Sequence, residues 1–181
     1  MTDKTEQRIL EAALKLFSEK GFKGATTRVI AQESGFSELT LFRKFETKEN
    51  LFNTVLLLNS EKLRGDFVST FGNNKFEGPE EFLRTLINDI AKIQSDNFDL
   101  IHLLDNEQCG KSSSLKGELV NYLGGYIEKN IPNRKIDYNT LGITIFALVY
   151  TLNLSKYNGD TFMNQDEVLE GFINNTIMCI Q

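Results

Sequence analysis

Glu38, Leu39, Thr40, Arg43 and Lys44 share the outer side of a short stretch, ELTLFRKF, whose Leu41 and Phe45 are four apart and point the other way. A short helix held by its back, with cations, hydroxyls and one carboxylate in front, has the size and chemistry to enter the major groove of DNA. The same spacing also fits an ordinary helical hairpin with a solvated charged face, and both readings stay open on spacing alone. A second pair with chemical capacity is His102 and Cys109, seven apart. Seven helical residues span about 10 Å, whereas a nucleophilic thiol needs its base at about 3 Å. That pair therefore argues against an enzyme, and no phosphate-cradling glycine loop or metal-ligand cluster is present in the sequence. The sequence leads us to expect no catalytic residue, no metal and no cofactor.

The elements that must position the outer face are legible around it. Thr26 or Thr27 caps a helix carrying Ile30 and Ala31, Gly35 closes it, and Ser37 caps the next. Upstream, Thr5 to Lys20 forms an amphipathic helix with Ile9, Ala13, Leu16 and Phe17 on one stripe, ended by Gly21. Downstream, Thr47 precedes a long helix with Leu51, Phe52, Val55, Leu58, Leu63 and Phe67. Lys48 at its start suits a phosphate, because a cation and a helix N-terminus both favour an anion.

The rest of the chain reads as further helices. Pro79 opens one that carries Phe82, Leu83, Leu86, Ile87, Ile90 and Ile93, and Asp96 or Asn97 caps another with Leu100 and Leu104. A helix through Leu115, Leu119 and Leu123 contains Gly124-Gly125, which marks a kink or a close helix contact. Tyr138 to Tyr157 is apolar on more than one side, and a last helix runs from about Asn164 to Ile180. Two apolar helices at the chain end suit pairing with their copies across a two-fold axis. The fold expected is all-α, about nine helices, with an N-terminal three-helix head. Domains are expected at 1–47 and 48–181.

Bulk properties fit. The net charge of −5 is uneven: residues 1–50 hold nine Lys/Arg and eight Asp/Glu, leaving 11 and 17 for the remainder. DNA binding would then rest on a few placed cations rather than a basic surface. The two cysteines, Cys109 and Cys179, do not form a CxxC, which suits a reducing cytoplasm. No apolar run approaches the roughly 18 residues of a membrane span.

Residues 1–51 resemble the DNA-binding domain of TetR-family transcriptional regulators. The match runs in order through ILEAALKLFSEKGF, ATTRVIAQESGFSELTLFRKF and the lysine and leucine of TKENL. The resemblance implies a helix–turn–helix head on a ligand-binding and dimerisation domain. It implies a dimeric repressor on a palindromic double-stranded DNA operator, joined through the last two helices and released by a small molecule. Carried over residue by residue, Thr27 and Arg28 meet phosphate or a base edge. Ser37, Glu38, Leu39 and Thr40 begin the reading helix, and Lys44 and Lys48 touch the backbone. Phe42 stands where the family usually has tyrosine, so a phosphate-bonding hydroxyl is missing. Glu38 suits a cytosine amino group and Leu39 a thymine methyl. Candidate ligand-lining residues are Phe82, Leu86, Phe98, His102, Tyr122, Tyr126, Phe146 and Tyr150, which favour an apolar or aromatic ligand. The alternative is a helical ligand-binding or adaptor protein that has lost DNA binding.

Overall fold

Asp3 starts the chain's first helix by accepting the Glu6 N–H at 2.8 Å, and the apolar stripe then gives α1 (Lys4–Gly24) one buried face. The computed structural model describes residues 3–72, 74–106, 110–132, 135–160 and 164–180, and only the backbone of 110–114. Among the described residues there are nine helices and no strand. No helix among them is long and apolar enough to cross a membrane.

Gly21, at φ +66°, breaks the regular path of α1 and turns it toward the fully buried Ala25. The cap of α2 (Thr27–Ser34) is Thr26, whose hydroxyl accepts from the Val29 N–H at 3.3 Å. Ser37 does the same for α3 (Glu38–Phe45), accepting from the Thr40 N–H at 3.2 Å. Between them Gly35 sits at φ +77° in the left-handed region, and an added Cβ would lie 3.0 Å from Arg8 Nη2. Gly35→Ala is therefore expected to cost about 1–2 kcal/mol, the usual penalty for a side chain in that conformation. Chemical denaturation of both proteins checks it, and an unchanged midpoint contradicts it.

Glu46, at φ +63°, ends α3, and Thr47 accepts from the Asn50 N–H at 3.0 Å to begin α4 (Lys48–Thr70). The chain packs as two compact units. The first contains Met1–Gly65 and Asn97–Ser113, so it takes in most of α4 and all of α6 (Phe98–Asn106), which packs on α1. This division by packing differs from a cut at residue 47. Ile9, Ala13, Phe17, Ile30, Leu41, Leu51 and Val55 are completely buried in this unit. Phe52 meets the Phe17 and Phe22 rings edge-on, each at 5.0 Å.

The second unit contains Asp66–Asp96 and Ser114–Gln181. Here α5 (Pro79–Asp96) packs on α8 (Tyr138–Asn158) and α9 (Gln165–Ile180). Gln94, with no exposed surface, donates to the Phe146 carbonyl at 2.8 Å and accepts from Asn153 at 3.3 Å, so its burial is compensated. The Arg84 guanidinium joins Glu80 at 3.0 Å to Glu170 at 2.8 Å, linking α5 to α9. Gly124 in α7 (Gly110–Asn130) marks a close helix contact: a Cβ there would fall 2.0 Å from Asn139 Oδ1 of α8. Gly142 of α8 approaches Leu123 in return.

Candidate nucleic-acid interface

In α3 the back of the helix is sealed: Leu41 has no exposed surface and Phe45 is 6% exposed. Leu39, by contrast, is 69% exposed and Phe42 41%. The Arg43 and Lys44 side chains stand at the surface beside them, with Glu38 and Thr40 half-buried at the start of the same face. Ser37 Oγ lies 2.9 Å from Thr40 Oγ1, so these two hydroxyls form a small polar edge. The face therefore offers apolar, cationic and hydroxyl groups side by side.

The charges around α3 are organised. Lys44 is ion-paired with Asp3, the cap of α1, across 41 residues of sequence. The Lys44 bond, and then the Glu6 N–H, hold the Asp3 carboxyl below its usual range, and Asp3 in turn raises the Lys44 ammonium. Lys48 Nζ lies 4.4 Å from the Phe22 ring centroid, a cation–π contact that fixes the ammonium at the start of α4. Glu33 of α2 is neutralised by Lys15 at 2.9 Å. Arg28 and Arg43 are exposed and form no ion pair among the described residues. Thr27, the first residue of α2, donates its hydroxyl to Glu38 at 2.5 Å. All ten residues of the expected reading set thus fall on the starts of α2 and α4 or on α3 with its cap.

The expected ligand-lining set is divided between the two units. Phe98 and His102 belong to the first unit, on α6, where their rings stack at 5.6 Å. His102 Nε2 lies 3.0 Å from Asn106 Nδ2, and Cys109 lies outside the described residues. In the second unit Phe82 and Leu86 are core residues, each 1% exposed. The Tyr126 ring lies tilted against Phe71 at 5.1 Å and Phe82 at 5.6 Å, while Phe146 stands 6.4 Å from Phe67. Tyr122 and Tyr126 also line a hollow of about 430 Å³ with Phe71, Asn121 and Lys129. Burial in this aromatic group raises the Tyr126 hydroxyl above its ordinary range. Phe67, Phe71 and Phe76, which sequence spacing did not single out as lining residues, complete the aromatic group.

Residues 9–55 match the model of the bacterial regulatory proteins of the tetR family. The chain is 29% identical over 133 residues, 70% of each protein, to the HTH-type transcriptional regulator YvkB of Bacillus subtilis. It is 26% identical over 179 residues to the HTH-type transcriptional repressor NicS of Pseudomonas putida, covering 91% of this chain and 82% of NicS. Its fold is similar to that of AibR, solved in complex with isovaleryl coenzyme A and operator DNA, with a TM-score of 0.69 at 17% identity over 94% of this chain and 96% of AibR.

Proposed function

We propose that this chain, a DNA-binding transcription regulator of the bacterial tetR family, is a repressor that grips a near-palindromic operator as a homodimer in the cytoplasm. In this reading a small, largely apolar or aromatic molecule binds its C-terminal helices and releases the DNA. The observation that carries the reading is the two-sidedness of α3, with Leu41 and Phe45 sealed while Leu39, Phe42 and Arg43 face outward. Arg28, Arg43, Lys44 and Lys48 take phosphates, Ser37, Leu39 and Thr40 take base edges, and the Phe42 ring packs against the sugar–phosphate backbone. Such phosphate contacts set register and salt dependence, and base contacts set sequence.

The dimer is supported by α8. Its buried side carries Gly142, Ile145, Val149 and Leu152. The other side carries Ile143, Ala147, Tyr150 and Leu154, spaced as one helical stripe and all at least partly exposed. On α9 only Ile173 is buried among the described residues, leaving Phe172, Ile177 and Met178 at least partly uncovered. The ligand is supported by the hollow at Tyr122 and Tyr126, and by the acyl-coenzyme A in the complex of AibR. Ligand and DNA affinities must then oppose each other by the same factor.

Binding of a labelled duplex from the DNA flanking the chain's own gene, followed by anisotropy across a salt series, tests the reading. Lys48→Ala is expected to lower the slope of log affinity against log salt by about 1, since each neutralised phosphate contributes roughly 0.9. An unchanged slope rejects the phosphate role of Lys48, and absence of saturable binding by the unaltered protein rejects the function.

A further inference from the structure

Glu38 is a carboxylate at the front of a surface that, in the reading above, faces polyanionic DNA. Two other acids of the head are ion-paired, Glu33 with Lys15 and Asp3 with Lys44. Glu38 is held instead by a neutral group, the Thr27 hydroxyl, at 2.5 Å. Among the described residues it forms no ion pair. Its place in the first turn of α3, behind the Ser37 cap, puts it at the positive end of the helix, where a carboxylate is stabilised.

We propose that Thr27 and Glu38 form a specificity device that reads one cytosine in each half of the operator, with Glu38 accepting from the base amino group and Thr27 as its positioning residue. The proposal rests on the DNA-reading role of α3. An ionised carboxylate accepts hydrogen bonds and donates none, with about four lone-pair sites on its two oxygens. Thr27 occupies one of them and leaves the others for the groove. In the major groove only cytosine N4 and adenine N6 donate. Adenine carries the N7 acceptor beside its donor, which repels a group that can only accept. Cytosine offers the amino group with a carbon beside it, so the carboxylate meets no opposing lone pair on that base. Anchoring by Thr27 also removes part of the side-chain freedom that an unbound glutamate would lose on binding.

Selection of duplexes from a randomised pool tests this with the full-length protein. The unaltered protein is expected to favour a C·G pair at one position of each half-site by about tenfold. Glu38→Ala should flatten that position alone. Glu38→Gln should move the preference toward adenine, an acquired specificity that an unfolded protein cannot show. Thr27→Val should weaken the cytosine preference several-fold, while Thr27→Ser, which keeps the hydroxyl, should preserve it. If an operator is enriched but no position responds to Glu38→Ala, the proposal is overturned and the DNA reading stands. If Thr27→Ser and Thr27→Val lose the preference equally, the positioning role of the hydroxyl is overturned. If the unaltered protein enriches nothing, both the proposal and the DNA reading fall.

Discussion

Phe17→Ala is expected to lower the stability of the N-terminal head by about 3–5 kcal/mol, the range for deleting a buried phenylalanine. Phe17 has no exposed surface, meets Phe52 edge-on at 5.0 Å and lies 6.0 Å from the Phe22 ring. The loss combines transfer of the ring to water, the cavity left between α1 and α4, and the aromatic pairs, each worth about 0.5–1.5 kcal/mol beyond area. Against a typical domain stability of about 5–15 kcal/mol, this is a large fraction. Because α3 is held by its buried back, DNA binding should vanish at the temperature where the head melts, well below that of the unaltered protein. Thermal melts read in parallel with DNA binding check this. A destabilisation below about 1 kcal/mol would mean the ring is replaceable and the account of the head core is wrong.

If the proposed dimer forms through α8, Ile143→Glu should convert it to a monomer and reduce affinity for a two-half-site operator by about 10²–10⁴-fold, the usual worth of a second tethered contact. Ile143 is 50% exposed on the outward side of α8, so the change should leave the buried side of that helix intact. In a two-fold interface the same residue faces its copy's surface, so one substitution places two carboxylates at the seam. Sedimentation and operator titration measure the two effects. A protein that stays dimeric with unaltered affinity would place the interface elsewhere.

The head was readable because its determinants are local. A threonine before α2, a glycine at +77° after it and a serine before α3 each act within four residues, and the structure uses Thr26, Gly35 and Ser37 in those roles. The inward pair Leu41 and Phe45 followed from helical spacing alone. What escaped depends on partners distant in sequence. Nothing local tells that Asp3 meets Lys44, that Thr27 bonds Glu38, or that α6 packs on α1. Gln94, a polar residue near the end of α5, is buried and bonded to Phe146 and Asn153, more than fifty residues on. Residue type and spacing do not reveal which aromatic rings meet. Phe67 and Phe71 joined the cluster, and Phe98 and His102 fell in another unit. The double glycine was ambiguous for the same reason, and Asn139 decides it at Gly124.

A hydroxyl-radical footprint on the DNA flanking the chain's own gene puts the central claim to its most direct test. Two copies of α3 reading one operator should protect two patches on the same side of the duplex, their centres about 10 base pairs apart or a multiple of that. A single protected patch, patches on opposite sides, or no protection at concentrations that saturate the duplex would contradict it.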